Sequence, residues 1–96
     1  MRTKNNVTLK EALEAMVKES KLKNGIDEVR VQEQWFKLMG APIAKYTQQI
    51  SLRKGKLYVK VESAPLKQEL SYSREKIKTL FNRELGEEVI REVVIM

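Results

Sequence analysis

The stretch Tyr46–Leu70, which reads YTQQISLRKGKLYVKVESAPLKQEL, decides the fold of this chain. Apolar residues alternate with polar ones in Thr47–Arg53 and again in Lys56–Glu62. Such alternation is typical of strands with one buried face. The residues between the runs, Lys54 and Gly55, suit a two-residue hairpin turn because glycine adopts a positive φ without steric cost. The sequence therefore predicts an antiparallel hairpin.

The turn also predicts the register of the hairpin, because a two-residue loop fixes which residues stand opposite each other. The predicted pairs are Arg53 with Lys56, Leu52 with Leu57, Ser51 with Tyr58, Ile50 with Val59, and Gln49 with Lys60. In this register every apolar side chain lies on one face. The other face is polar and basic and carries one aromatic residue, Tyr58.

Length and composition predict one globular domain over residues 1–96, in which residues 1–6 form a flexible arm. The chain is 42% hydrophobic and 33% charged, and it contains no cysteine and no histidine. Without these residues the sequence offers no thiolate metal site, no cysteine nucleophile and no histidine base, so we expect no enzyme, no metal and no cofactor. It shows no signal peptide and no apolar run that could span a bilayer, which favours the cytoplasm and no membrane partner.

The net charge of +6 favours anionic partners, with nucleic acid before membranes. This charge is concentrated in the hairpin. Between Tyr46 and Lys60 the sequence contains basic residues and no acid, whereas acids outnumber bases between Arg83 and Met96.

Two helices are predicted before the hairpin. Thr8 and Glu11 form a capping-box pattern, so the first helix begins there, and we expect it to stop at Asn24-Gly25, a typical C-terminal signal. Asp27 is a plausible cap for a second helix that reaches Met39. Gly40-Ala41-Pro42 then ends this helix and opens a short turn or one-turn helix.

Both helices carry apolar faces that predict packing into the core. The first face comprises Leu9, Leu13, Met16 and Val17; the second comprises Val31, Trp35, Leu38 and Met39, widened by Phe36. Trp35 is in register with the apolar residues of its helix, so core packing is a better interpretation than a stacking platform for bases.

After the hairpin, Ser63-Ala64-Pro65 marks the start of a long helix that reaches about Leu85 and is closed by Gly86. The β-branched segment Val89–Met96 predicts a third strand beside the hairpin. The predicted order is α-α-β-β-α-β. The sequence therefore indicates a two-layer α+β domain in which helices cover a three-stranded sheet.

The candidate binding residues are basic or aromatic and lie on the hairpin and the long helix. They are Arg53, Lys54, Lys56, Tyr58, Lys60, Lys67, Arg74 and Lys78. Basic side chains around an aromatic ring are typical of proteins that bind single strands, in which charge holds the backbone and the ring stacks on a base. A solvated basic strand that protects a sheet edge from aggregation explains the hairpin charge about as well. The helix residues alternate with acids, which is more typical of a solvated face.

Spaced residues over most of the chain resemble the DciA-like family of bacterial proteins, formerly a domain of unknown function. The matching pieces are W-x-x-x-x-G-x-x-I-A-x-x-T from Trp35, L-R-K-G-K-L-Y-V-K-V-E-S from Leu52, Q-E-L from Gln68 and L-F-N-R-E-L-G from Leu80. The resemblance implies a fold similar to the K-homology domain, nucleic-acid binding, and the replicative helicase as a partner during loading. The G-x-x-G loop of true K-homology domains is absent, so we expect binding through charge and stacking with weak sequence preference.

Two functions follow as hypotheses. The first is a non-enzymatic module that binds single-stranded or junction DNA, or RNA, and assists helicase loading. The alternative is a protein–protein adaptor that binds its partner through an exposed strand or an apolar helix face and does not itself bind nucleic acid.

Overall fold

The computed structural model describes residues 8–96; the arm predicted over residues 1–6 lies outside this range. The elements are α1 (Leu9–Met39), α2 (Ala41–Lys45), β1 (Thr47–Arg53), β2 (Lys56–Val61), α3 (Ala64–Tyr72), α4 (Arg74–Leu85) and β3 (Glu92–Ile95). The mixed α+β class with helices before a three-stranded sheet is confirmed, and the sheet is open with strand order β1-β2-β3.

The hairpin has the predicted register, with Arg53 opposite Lys56 and Ser51 opposite Tyr58. Both turn residues have positive φ, 49° at Lys54 and 83° at Gly55. This combination defines the turn type whose twist matches that of the flanking strands. The alternation of the sequence and the chemistry of the turn therefore agree.

The first helix begins as predicted, with a capping box in which the Thr8 hydroxyl accepts from the Glu11 N–H at 3.1 Å and Glu11 accepts from the Thr8 N–H at 3.1 Å. The predicted break at Asn24-Gly25 is wrong, because α1 continues through these residues to Met39. The whole helix is 31 residues long. The Asn24 amide donates to the Leu52 carbonyl of β1 at 2.8 Å. A glycine inside a helix costs about 1 kcal/mol relative to alanine, which contacts of this kind outweigh.

The prediction that Asp27 caps a second helix is also wrong. Asp27 is a buried residue in the middle of α1. Its carboxylate accepts from Lys23 at 3.0 Å and from Arg30 at 3.1 Å. Both cations also contact Glu87, in the segment between α4 and β3, at 3.1 and 3.3 Å. This network of two acids and two bases joins the middle of α1 to the far end of the chain.

The edge of β1 is covered by α1. The Glu28 carboxylate accepts from the Leu52 N–H at 2.8 Å, and the Gln32 amide donates to the Ile50 carbonyl at 2.9 Å. Together with Asn24, these side chains lie four residues apart on one side of the helix. They occupy backbone groups that an edge strand otherwise leaves open.

The long helix predicted after the hairpin is two helices, because Ser73 interrupts it with φ −109° and ψ 14°. Just before the interruption the Ser71 hydroxyl donates to the Lys67 carbonyl at 2.8 Å. Serine bonds of this kind bend helices. The predicted end of the helical region is confirmed, since Gly86 closes α4 in the left-handed conformation.

The third strand is parallel to β2 and shorter than the predicted Val89–Met96. Val89 and Ile90 are buried but are not in the strand, because Asn82 of α4 holds them. Its side chain accepts from both of their N–H groups and donates to the Ile90 carbonyl, at 3.0, 2.8 and 2.7 Å.

Trp35 lies in the core, as predicted, with its ring 5.6 Å from that of Phe81. Its indole N–H donates to the Thr47 hydroxyl at 2.9 Å. Phe36, in contrast, is 66% exposed and does not widen the core face. The first predicted apolar face, including Met16, is also exposed, because the start of α1 projects beyond the sheet. None of the helices between Thr8 and Met96 has the length and apolar character that a bilayer crossing requires.

Candidate nucleic-acid interface

The hairpin presents its basic residues on the face of the sheet opposite the core. Side chains alternate along a strand, so the buried Leu57 and Val59 of β2 place Lys56, Tyr58 and Lys60 on the outer face. Both lysines are exposed and Tyr58 is half-buried. The arrangement predicted from the sequence, charge around one ring, is therefore present on an open surface.

Tyr58 lies in the middle strand of this face. Its direct neighbours across the sheet are Ser51 on β1 and Val94 on β3. Both neighbours have small side chains, and all three residues are half-buried. A base that stacked on the ring would therefore meet a shallow, mostly uncharged platform, with the basic residues at its ends.

The turn of the hairpin has a further basic neighbour from outside the hairpin sequence. Arg91, just before β3, donates from its guanidinium to the Lys54 carbonyl at 3.2 Å. Its N–H also donates to the Gly55 carbonyl at 2.7 Å. Arg53, Lys54 and Arg91 are exposed and surround one turn.

Arg91 is not evident as a neighbour of the turn from the sequence, because it lies in an acid-rich segment 37 residues after Lys54. Parallel pairing of β3 with β2 places Glu92 opposite Lys56, and therefore Arg91 beside the turn. The length of the crossover alone does not give this register, so the sequence contained no direct signal for it.

One basic residue of the hairpin has an acidic neighbour. Lys56 lies 3.9 Å from the Glu92 carboxylate of β3, with both side chains more than half exposed. Such exposed pairs contribute little. Glu92 nevertheless reduces the positive potential at Lys56, whereas Lys54 and Lys60 have no ion pair among the described residues.

The predicted helix residues lie elsewhere. Helices α3 and α4 pack on the apolar face of the sheet through Leu70, Ile77 and Phe81, so their basic residues belong to the opposite layer from the outer face of the hairpin. Lys78 also pairs with Glu75 at 3.3 Å. The eight predicted residues thus form two separate surfaces, a hairpin set and a helix set of Lys67, Arg74 and Lys78.

The ion pairs of the Asp27 network affect two exposed groups. Hydrogen bonds to Asp27 and Glu87 raise the pKa of Lys23. The pKa of Glu87 is lowered, first by its hydrogen bond from Lys23 and then by that from Arg30. The network joins α1 to the segment that leads into β3.

These features define a small α+β protein with a basic, aromatic-centred sheet face. A family model described as "Dna[CI] antecedent, DciA" matches residues 8–95. The chain therefore belongs to the DciA family, a family of helicase loaders in DNA replication rather than of known enzymes. No curated protein and no solved structure matches the chain, so the likeness to K-homology domains stays a prediction.

Proposed function

We propose that this chain is a non-enzymatic module that binds single-stranded or junction DNA through the outer face of its hairpin and assists loading of the replicative helicase in the bacterial cytoplasm. The observation that carries the proposal is the open sheet face with Tyr58 at its centre and Arg53, Lys54 and Lys60 exposed around it.

Charge and stacking act together in this proposal. The basic residues neutralise phosphates and release counterions, which gives affinity without sequence information. Tyr58 supplies a ring on which any base can stack. Arg53 directly opposite Lys56 places like charges side by side across the hairpin, which a bound phosphate relieves.

The helix set contributes less in this proposal. Its three residues lie in the helix layer, and Lys78 has an acidic neighbour in Glu75. This difference makes the helix set a matched control, because reversing its three charges changes the net charge as much as reversing three charges of the hairpin.

The test is fluorescence anisotropy with labelled single-stranded DNA, junction DNA, duplex DNA and RNA over a salt series. The wild-type chain should give a log–log salt slope of about −2 to −4 on single strands, corresponding to roughly three to six neutralised phosphates. The variant Lys54→Glu with Lys56→Glu and Lys60→Glu should bind at least about tenfold more weakly and with a shallower slope. The variant Lys67→Glu with Arg74→Glu and Lys78→Glu should bind close to wild type.

Far-ultraviolet circular dichroism shows whether each variant is folded. A folded hairpin variant that binds DNA like the wild type would refute the hairpin assignment. Equal losses in the two variants would indicate that net charge, rather than this face, determines binding.

The alternative function is a protein–protein adaptor without direct nucleic-acid binding. The exposed apolar stripe on the projecting part of α1 favours it. Absence of binding to every nucleic acid at low salt, together with binding to a replicative helicase, would select the adaptor.

A further inference from the structure

The N-terminal half of α1 carries an apolar stripe that nothing in the described chain covers. Leu9, Leu13, Met16 and Val17 are 76, 51, 62 and 53% exposed. Their spacing places them along one side of the helix. At about 100° per residue this is the same side that buries Val31 further along α1. The core-facing side of α1 therefore continues past the end of the sheet into solvent.

The stripe forms one wall of a groove whose other wall is the tip of the hairpin. The groove has a volume of about 870 Å³. Leu13, Met16 and Val17 line its apolar wall, and Lys21, Arg53 and Lys54 supply its charge. No acid lines it among the described residues. An apolar wall beside basic residues favours an occupant that is apolar on one side and acidic on the other.

A helix fits this groove better than an extended strand. The apolar wall is itself a helix, and its residues Leu13, Met16 and Val17 are spaced i, i+3 and i+4. The ridge that they form can pack between the side chains of a second helix. A strand would need open backbone groups, and those of β1 nearest the groove are occupied by Asn24 and Glu28.

A second copy of this chain does not supply the required charge. The flanks of its own stripe mix Lys10, Lys18 and Lys21 with acids. Two copies in contact would also place two basic hairpin tips and two net charges of +6 together. Complementarity favours a different protein.

We propose that this groove binds an amphipathic α-helix of a partner protein, with the apolar stripe of that helix on Leu13 and Met16 and its acidic flank against Arg53 and Lys54. The two basic residues also belong to the proposed DNA surface. The partner helix and nucleic acid therefore exclude each other at the turn, and this second part rests on the proposed function.

In the experiment the chain is titrated into a labelled amphipathic helical peptide that has a leucine stripe and glutamate flanks. A peptide with the same leucine stripe and lysine flanks is the matched control. The glutamate peptide should bind at least about tenfold more tightly than the lysine peptide. The variant Leu13→Gln with Met16→Gln should weaken its binding by about tenfold, since glutamine keeps the helix and removes the apolar wall. The control variant, Leu22→Gln with Ile26→Gln, alters equally exposed residues on the opposite side of α1 and should bind like the wild type.

Equal binding of the two peptides, absence of binding, or an equal loss in the control variant would overturn the groove assignment. Sedimentation equilibrium of the peptide-free chain adds one further outcome: self-association that the Leu13 and Met16 substitutions abolish would make a second copy the occupant and also overturn it.

A competition experiment with DNA separates this inference from the proposed function. Unlabelled glutamate peptide should displace labelled single-stranded DNA, while the Leu13 and Met16 variant should keep DNA binding and lose displacement. Simultaneous binding of peptide and DNA would overturn the exclusion. If the wild-type chain binds no nucleic acid, the proposed function and the exclusion both fail, and peptide binding still decides the groove.

Discussion

Replacing Gly25 with alanine tests whether α1 is continuous through Asn24-Gly25. Gly25 lies inside the helix, and the glycines with positive φ among the described residues are Gly40, Gly55 and Gly86. A Cβ built on Gly25 meets no atom within 4 Å. Alanine therefore adds no clash there, and it lowers the conformational entropy of the unfolded chain.

The expected result is a gain in the free energy of unfolding of about 0.5–1 kcal/mol, the difference between glycine and alanine inside a helix. For a domain of this size, this gain raises Tm by about 2–8 °C. Urea titration monitored by far-ultraviolet circular dichroism follows the loss of helical structure. The fluorescence of the single, buried tryptophan, Trp35, measures the core.

The opposite sign would refute the reasoning. If the helix ended at Asn24 with Gly25 in the left-handed conformation, alanine would cost about 1 kcal/mol or more instead. A loss of that size would restore the two-helix interpretation of the sequence and remove the projecting stripe on which the groove depends.

Three further predictions concern the turn, the segment before β3 and the response to acid. Gly55→Ala should destabilise the fold by about 1–2 kcal/mol in the same urea titration. The φ of Gly55 is positive, and the new Cβ would lie 2.7 Å from Arg91 Nε, so the Arg91 side chain has to move. An unchanged urea midpoint would contradict the turn geometry. Asn82→Ala should lower the free energy of unfolding by about 2–3 kcal/mol, since it leaves two N–H groups and one carbonyl of the segment before β3 without their partner. A loss below about 0.5 kcal/mol would mean that water replaces the side chain. The pKa of Glu87 is lowered from 4.5 in the folded chain, so its contribution to stability is complete above that value and is lost as pH falls through the lower, folded pKa. Unfolding titrations between neutral pH and pH ~3 should therefore show a smaller acid loss for Glu87→Gln than for the wild type, whereas parallel curves would exclude this group.

The hairpin could be predicted because its signals are local. Alternation determined the buried face, and Lys54-Gly55 determined the register, so the placement of Tyr58 and Lys60 followed from a short segment. The capping box at Thr8 and the closing Gly86 were predictable for the same reason.

The errors arose where a distant contact overrode a local signal. Asn24-Gly25 is a common helix end, but the Asn24 amide binds the Leu52 carbonyl instead. Asp27 is a good cap residue, but it accepts from Lys23 and Arg30 inside the helix. Lys23 and Arg30 are neighbours of Asp27 along the helix, but Leu52 and Glu87, which these side chains also bind, become close only in the folded chain. No local pattern could reveal those two partners.

The candidate site, like the fold, could be predicted from the sequence only in part. The charge of the hairpin was visible in the sequence, whereas the approach of Arg91 and Glu92 to it depends on the register of a long parallel crossover. The apolar stripe of Leu9 and Met16 was also visible, but helical spacing cannot tell whether a stripe meets a core or projects past it.

The row of Asn24, Glu28 and Gln32 along β1 has a consequence for the behaviour of the protein in a crowded cell. An open three-stranded sheet has two edges, and each is a template on which a strand from another copy can add. At β1 these side chains already bond the Leu52 N–H and the Leu52 and Ile50 carbonyls. The row therefore hinders addition of a strand at these backbone groups, and within residues 8–96 the edge of the sheet without such a row is the four residues of β3.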